Sequence, residues 1–560
     1  MKKYLLLALL PCLSACSLMG LSNGLDPQGC LDKSPDFCDD LNTLQPTGDD
    51  CSAWACDPNA GVCAILPLDA DKDGAPAAEC APEGVEGDCD DTNPNNAPGL
   101  AESCDAADND CDELIDEGAY ALPDPVMLAA LAGDEEAEDA RYATGDETDP
   151  VGIVYTSNKK DMNGGIISRL GFAFSAHLDE TTSRFGQVIE GNTTTNNSII
   201  RTPTAITRMG SDSFMALSVF STIGNYSYGL VPGVLLDNDT SLSYYPGYLG
   251  FSGTNVPLPP VSQPAASAVG GDVLVMYQNR APDPQNDSCQ STNEASLITG
   301  LAERQQPNST YIYARQDSST QIYVGNGTTD RLSPPAILAF TNSNPSTWIV
   351  AYAGYNEIRE LGIYIYRVVK TFDSATNNIP VIKAYGPLYK EGTTDGGRLG
   401  DVGLAWGEAG DGERQLGLTF RSGCGAQAQS YLRLLSATGG SAALELSPQA
   451  LVAAPTPSNQ VEQIHPSAVW RTADASEWLM IWEEERSFVK AARISKAGEL
   501  IDSEAYTVLG DDASGTSGLI QEGSFVKSTA DGFALVSYIE GDSNKAFWAQ
   551  SLVCDPGAAK

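Results

Sequence analysis

The chain has 560 residues, 42% of them apolar, with 54 Gly and 33 Pro, which suffices for several domains with buried cores and many turns. Its formal net charge of −42 at pH 7 excludes nucleic acid as a natural partner, because a phosphate-binding surface must be basic. Acidity of this size indicates either cation binding or a solvated, repulsive surface.

The first residues, MKKYLLLALLPCLSAC, are typical of an export signal. The basic pair Lys2 and Lys3 precedes an apolar stretch at residues 4–10, which is too short for a permanent membrane span. The following LSAC resembles the bacterial lipobox, which implies cleavage before Cys16 and acylation of its side chain. The alternative is a plain secretory signal with an incidental cysteine.

A lipidated Cys16 would carry two or three acyl chains, and these anchor a protein stably where one does not. The residue after it is Ser17. By the lipoprotein sorting rule an Asp there retains a protein at the inner membrane, so Ser17 favours the outer membrane. We therefore expect a lipid-anchored protein of the bacterial outer membrane or cell surface, with residues 1–16 as signal peptide and lipidated cysteine.

Twelve of the 14 Cys remain once Cys12 leaves with the signal and Cys16 carries lipid. An exported chain meets an oxidising compartment, so we expect disulfides. Nine of the twelve lie from Cys30 to Cys111 and three lie far beyond. Both numbers are odd, so full pairing requires at least one bridge between the two regions. Residues 17–66 form a predicted Cys-rich segment, in which CSAWACDPNAGVCAI is a small disulfide knot with a Gly turn.

An acidic segment follows, and it begins with DADKDG at 69–74. Asp69, Asp71 and Asp73 alternate before Gly74, which is the start of a calcium loop. The twelfth position is Cys80 instead of a bidentate Glu, so the loop is not an EF-hand. The missing oxygens are predicted to come from Asp88, Asp90 and Asp91. The later DNDCDELIDE repeats the acidic pattern at Asp108, Asp110, Asp112 and Asp116.

Residues 69–118 resemble the MopE-type metal-binding motif, often repeated in secreted bacterial proteins. The resemblance implies a metal-binding module at 67–118 whose four cysteines pair as disulfides, namely Cys80, Cys89, Cys104 and Cys111. The positions that match its acidic residues are Asp69, Asp71, Asp73, Asp90, Asp91, Asp105, Asp108, Asp110, Asp112, Asp116 and Glu117. Two positions depart from the pattern: Glu113 replaces a usual Gly, and Ala75-Pro76 replace a common aromatic.

The family's name carries a copper association, but copper prefers imidazole or soft sulfur. The module has no His, and its sulfurs are expected in disulfides. His177 and His465 lie in the later β region, where we expect ordinary surface or turn residues. A site of carboxylates alone favours Ca²⁺, so calcium is the predicted cofactor and copper is not. The alternative is an acidic disulfide knot without metal.

Residues 119–140 are predicted to be an acidic linker with a short helix after Pro125. From residue 141 to 560, short alternating runs separated by turn residues predict an all-β region. A weak phrase recurs in it, and its aromatic anchors are Tyr155, Phe220, Tyr277, Tyr352, Phe420, Trp482 and Tyr538. Seven copies of a four-stranded unit resemble a seven-bladed β-propeller, with a closing strand expected near 139–146. The alternative is a set of β-sandwiches.

The expected fold class is thus mainly β, a seven-bladed propeller-like domain preceded by a small disulfide-rich calcium-loop module. No nucleophile elbow, HExxH or phosphate loop is present, so we expect no enzyme. The favoured hypothesis is a surface lipoprotein whose lipid binds the membrane, whose module is a spacer, and whose propeller displays a surface for a protein or glycan ligand. The rivals are a structural or metal-buffering envelope protein and a glycan-active propeller, since a glycosidase needs only two carboxylates.

Overall fold

The structure is a computed structural model, and it describes Cys38 and residues 51–554 with gaps. The gaps are 58–59, 83, 86, 104–106, 113–119, 132–134, 145–149, 161, 176–183, 193–197, 210–212, 223–226, 237–242, 245–261, 279–295, 305–311, 315–319, 324–334, 341–342, 344, 356–360, 371–380, 390–398, 411–412, 424, 442, 456–460, 472–476, 503–504, 511–517, 530–531 and 541–544. The predicted signal and Cys16 lie outside the described residues. No helix within them has the length and hydropathy to span a membrane.

The chain forms two compact units, one mostly of residues up to 116 and one mostly of residues from 117 onward. The first unit begins with an antiparallel hairpin of β1 (Ser52–Cys56) and β2 (Cys63–Pro67). Its turn requires Gly61, whose φ is 70°. A 3-10 turn at Ala78–Cys80 follows the hairpin. The rest of the described part of this unit is loop, in which few apolar side chains are buried, and disulfides stabilise it.

The second unit is built from antiparallel sheets. Its first two strands are β3 (Tyr120–Ala121) and β4 (Val126–Ala130). Two four-stranded sheets follow, and their strands are β5 (Glu136–Ala143), β6 (Val151–Lys160), β7 (Ile166–Ser175) and β8 (Arg184–Asn192), then β9 (Ser198–Met209), β10 (Ser213–Thr222), β11 (Ser227–Leu236) and β12 (Ser243–Tyr244).

The third sheet has five strands: β13 (Ser262–Val269), β14 (Asp272–Gln278), β15 (Ser296–Arg304), β16 (Ile312–Ala314) and β17 (Thr320–Tyr323). The fourth and fifth sheets have four strands each, namely β18 (Ala336–Ala339), β19 (Thr347–Tyr355), β20 (Leu361–Val369) and β21 (Val381–Tyr389), then β22 (Leu399–Gly410), β23 (Glu413–Ser422), β24 (Gln429–Thr438) and β25 (Glu445–Ala453).

The sixth sheet comprises β26 (Gln463–Arg471), β27 (Glu477–Glu484), β28 (Phe488–Ser495) and β29 (Tyr506–Leu509). The last sheet contains β30 (Leu519–Thr529), β31 (Gly532–Glu540) and β32 (Lys545–Cys554). Its outer strand is supplied by β3 and β4, which both pair with β32. The first strands of consecutive sheets contact one another, and β30 contacts β5. This is a propeller-like arrangement, which confirms the mainly β, propeller-like expectation.

Five of these sheets have the standard blade form, in which four strands pair in chain order. The other two have five strands each. The expected count of seven blades is therefore not confirmed, since five blades of standard form are found among the described residues. Each predicted aromatic anchor does lie on the second strand of a different sheet.

Aromatic side chains on the second strands fill the spaces between neighbouring sheets. Trp478 and Trp482 of β27 are fully buried against Leu432 and Leu434 of the preceding sheet. A Cβ atom added to Gly417 would lie 2.6 Å from the Trp478 ring. Glycine is required there because the indole occupies the space of a side chain.

The segment predicted as an acidic linker with a helix is instead β structure. Residues 126–130 form β4, and residues 136–143 form β5, the first strand of the first blade. The closing strand expected near 139–146 lies instead within 120–130. The linker and the position of the closing strand were predicted wrongly for one reason. Strands β3 and β4 pair with β32, more than 400 residues later, and such pairing leaves no local signal in a short apolar run.

Tyr120 attaches β3 to the sixth sheet. Its hydroxyl donates a hydrogen bond to Glu477 Oε1 and accepts one from Arg471 Nη1. Arg493 lies over the Tyr120 ring, 4.6 Å from its centroid, and binds Asp502. All five side chains are buried. Burial, together with the Glu477 charge, raises the pKa of Tyr120, so the hydroxyl keeps the proton that it donates.

Candidate metal centre

The centre lies where two loop segments of the first unit run side by side. Residues 68–77 leave β2, and their ends are joined by a hydrogen bond from Ala77 N to Leu68 O of 3.0 Å. Residues 87–91 lie alongside, because Ala78 N donates to Asp88 O at 2.9 Å and Asp88 N donates to Pro76 O at 2.8 Å. A carboxylate from one segment can therefore face a carboxylate from the other.

Gly87 makes this close approach possible. A Cβ atom at that position would lie 2.4 Å from Ala78 Cα, which is far inside contact distance. Gly74 serves the loop differently, since its φ of 107° is a conformation that side chains rarely allow. The alternating loop thus closes as the D-x-D-x-D-G spacing predicts.

In three of these aspartates a backbone amide holds one carboxylate oxygen. Asp73 N donates to Asp71 Oδ1 at 3.2 Å, Ala75 N to Asp73 Oδ1 at 2.7 Å, and Asp90 N to Asp88 Oδ1 at 2.8 Å. The other oxygen of the same three residues, Oδ2, is buried and has no hydrogen-bond partner. A buried carboxylate oxygen without a partner is costly, and a bound cation would remove that cost.

Carboxylate oxygens of these residues and of two neighbouring aspartates lie close together. One carboxylate oxygen each from Asp71, Asp88 and Asp91 lie within 4.8 Å of each other, as do those of Asp69, Asp71 and Asp73. We call the five residues the aspartate cage. Ala70 N fixes Asp91 across the two segments with a hydrogen bond of 2.8 Å to Oδ1.

The electrostatics of the cage agree with this geometry. Burial raises the pKa of both Asp71 and Asp88, and the neighbouring aspartates raise it further, although the backbone hydrogen bonds to each lower it. Carboxylates held this close resist being charged together unless a cation lies between them. Asp88 is the most enclosed, with only 2% of its surface exposed.

The donor set fits a hard cation. Within the described part of the module every candidate ligand atom in the cage is a carboxylate oxygen, which suits Ca²⁺. Soft ligands are absent from the cage: the sulfurs of Cys51, Cys80, Cys89 and Cys111 are in disulfides. His465 lies in β26 with its Nδ1 2.8 Å from Glu483 Oε2, and His177 is outside the described residues.

A second acidic cluster lies further along the module. Glu102, Asp108 and Asp110 bring one oxygen each within 4.8 Å of one another. Glu102 is buried, and its Oε1 accepts a hydrogen bond of 2.9 Å from Asp110 N. Buried Asn109 organises the loop, because its side chain bonds Ser103 and Asn96.

Several predicted ligands take other places. Asp90 is exposed and accepts hydrogen bonds from Thr92, and Asp112 is exposed as well. The other predicted residues, Cys104, Asp105, Asp116 and Glu117, lie outside the described residues. Glu102 and Gly87 were not predicted. A single Glu among small residues gives no spacing signal, and a close backbone approach is visible only in three dimensions.

The cysteines are joined as Cys38–Cys63, Cys51–Cys80 and Cys89–Cys111. Cys56 and Cys554 are also disulfide-bonded. The motif's cysteines do not pair only among themselves, because Cys80 bonds Cys51 of the preceding segment. The predicted Cys-rich segment and acidic module are therefore covalently linked.

The family model Cu-binding MopE, described as a "Putative metal-binding motif", matches residues 88–117. The match includes Asp88 and Asp91 of the cage and the whole second cluster, and it begins after the 69–74 loop. A metal-binding motif is thus present. The search of curated proteins gave no match.

Solved structures of low similarity were also found. The chain is similar to Penicillium chrysogenum alpha-L-arabinanase complexed with arabinobiose (TM-score 0.33, 12% identity, 62% of this chain and 92% of that one). It is similar to Trypanosoma rangeli sialidase in complex with the inhibitor DANA (TM-score 0.35, 9% identity, 77% of this chain and 60% of that one). It is also similar to a Fusarium graminearum alpha-L-arabinofuranosidase (TM-score 0.34, 9% identity, 67% of this chain and 98% of that one). The chain spans about three fifths of the sialidase. TM-scores this low carry no conclusion about substrate.

The expectation that the chain is not an enzyme is contradicted by these neighbours, which are named as an arabinanase, a sialidase and an arabinofuranosidase. The physical reason lies in the chemistry. A glycosidase can work with two carboxylates brought together by the fold, and such a pair leaves no local motif in a sequence with 74 acidic residues.

Proposed function

We propose that the chain is a lipid-anchored cell-envelope protein whose module at 67–118 binds Ca²⁺ and whose propeller displays a ligand-binding surface. One observation carries the calcium assignment: Asp71, Asp73 and Asp88 each have one oxygen held by a backbone amide and the other buried without a partner. The amides fix the orientation of the carboxylates before the ion arrives, so little ordering is left for binding.

Calorimetry on the oxidised, chelator-stripped full chain tests the site. We expect Ca²⁺ to bind with an affinity of about 10⁻⁴–10⁻³ M, the range of extracellular calcium modules. Asp73→Ala removes a ligand oxygen and should abolish the heat. Asp57→Ala is the matched control, since Asp57 lies in the β1–β2 turn, where its Oδ1 accepts a hydrogen bond from Ala60 N. If titration with Ca²⁺ gives no heat of binding while Cu²⁺ binds, the assignment of the site to Ca²⁺ is refuted.

We further propose that the two five-stranded sheets complete a ring of seven blades. The contacts between consecutive first strands support this, together with the contact between β30 and β5. The seven aromatic anchors on seven second strands support it as well. An experimental structure with a different number of sheets around the axis would refute it.

The membrane and ligand assignments rest on sequence. Cys16→Ser should release the protein from the membrane fraction, and a processed variant that still sediments with the envelope would contradict lipid anchoring. The ligand of the propeller is proposed to be a protein or a glycan. Glycan arrays probed with the full chain, followed by measurement of released reducing sugar, separate binding from hydrolysis.

A further inference from the structure

The Cys89–Cys111 disulfide joins the two acidic clusters of the module. Cys89 directly follows Asp88 of the aspartate cage, and Cys111 directly follows Asp110 of the second cluster. Cys89 N also donates a hydrogen bond of 3.1 Å to Cys111 Sγ. The segment that supplies two cage ligands is thus tied to the second acidic loop by this bond.

Charge repulsion opposes the close approach of the two segments that the bond joins. The described residues from 87 to 112 carry seven carboxylates and no basic side chain: Asp88, Asp90, Asp91, Glu102, Asp108, Asp110 and Asp112. Like charges this close repel one another. Cys111 has a φ of 63°, a backbone conformation that residues other than Gly seldom adopt. Breaking the bond would let residue 111 relax and move its acidic neighbours.

The bond is also open to attack. Cys89 is exposed, whereas both cysteines of the Cys38–Cys63 bond are buried. A small dithiol can therefore reach Cys89–Cys111 directly. Its thiolate attacks one sulfur and breaks the S–S bond, the resulting mixed disulfide is resolved by its second thiol, and the products are two cysteine thiols and the oxidised dithiol.

We infer that Cys89–Cys111 is a redox control on the cation site: reduction by a dithiol weakens Ca²⁺ binding, and bound Ca²⁺ protects the bond from reduction. The inference rests on the proposed calcium site. The two effects must be equal in size, because coupling between two equilibria is reciprocal.

The first test is redox titration of the full wild-type chain in mixtures of reduced and oxidised dithiothreitol, with trapping by alkylation and mass spectrometry of each cysteine. Saturating Ca²⁺ should raise the ratio of reduced to oxidised dithiothreitol at half-reduction of Cys89–Cys111 by about tenfold or more, within the usual range of coupling. The buried Cys38–Cys63 bond in the same sample should not shift.

The second test is calorimetry on two double variants. Cys89→Ala with Cys111→Ala should weaken Ca²⁺ binding by the same factor, and Cys38→Ala with Cys63→Ala is the matched control that should bind as wild type. If oxidised wild type binds no Ca²⁺, the proposed function fails and the inference with it. If wild type binds but the redox midpoint of Cys89–Cys111 is indifferent to Ca²⁺, the redox control alone is overturned. The titration needs no variant, so misfolding of a variant cannot obscure the result.

Discussion

Replacing Tyr120 by Phe should destabilise the propeller-like unit, although only one oxygen atom is removed. The hydroxyl links Glu477 and Arg471, which are 1% and 2% exposed. A hydrogen bond to a charged group is worth about 1.5–3 kcal/mol, and its loss leaves a buried charge with one partner fewer. We therefore expect the free energy of unfolding to fall by about 3 kcal/mol.

The size of the unit sets the thermal shift. An unfolding entropy of about 2.1 cal/mol/K per residue over roughly 440 residues gives about 0.9 kcal/mol/K, so Tm should fall by about 3 °C. Calorimetric melting of the full chain measures this. Tyr352→Phe is the control, because its hydroxyl contacts the neutral Tyr366 hydroxyl at 3.2 Å and should cost less. Equal melting of wild type and Tyr120→Phe would refute the proposed attachment of β3 through this hydroxyl.

Three further predictions concern packing and charge. Gly87→Ala should separate the two cage segments and weaken Ca²⁺ binding by about tenfold or more, measured by calorimetry. Gly417→Ala should overpack Trp478 and destabilise by about 1–3 kcal/mol, whereas Gly440→Ala, with open space around it, should melt as wild type. Burial alone would raise the pKa of Asp401, yet neighbouring cationic groups hold it below its usual value. Its stabilisation is therefore present above pH 3.8 and lost as the pH falls through the lowered pKa, so Asp401→Asn should lower Tm at pH 7, and the difference in Tm from wild type should shrink as the pH falls below 3.8.

The strands of the propeller-like unit were predictable because their signal is local. Alternation and turn residues placed all seven aromatic anchors on second strands. In β26 the proline of His465-Pro466 coincides with a β-bulge between Ile464 and Ser467. The number of strands in each sheet was less predictable. Extra strands such as β17 lie in connecting segments that share no sequence pattern from one sheet to the next.

The part of the candidate site that has a local sequence signal was predictable, and the rest was not. D-x-D-x-D-G spacing identifies the first loop, since its predicted ligands are close in sequence. Asp88 and Asp91 were predicted from the sequence to supply further oxygens, and the structure places one carboxylate oxygen of each close to one of Asp71. Nothing local in the sequence shows that Gly87 lets their segment approach Ala78. The bond from Cys80 to Cys51 joins parts of the chain that composition alone assigns to separate segments.

The pairing of β3 and β4 with β32 has a consequence for how the chain folds. Tyr120 lies opposite Cys554 in the last sheet, so the first strands of the unit to be synthesised pair with the last. Contacts of such long sequence separation form slowly, because a very long loop must close before they contribute. Until then the outer edge of β32 exposes unpaired backbone groups that can recruit other strands. A chain truncated before Lys545 would leave β3 and β4 without a partner strand, and aggregation of such fragments is the expected outcome.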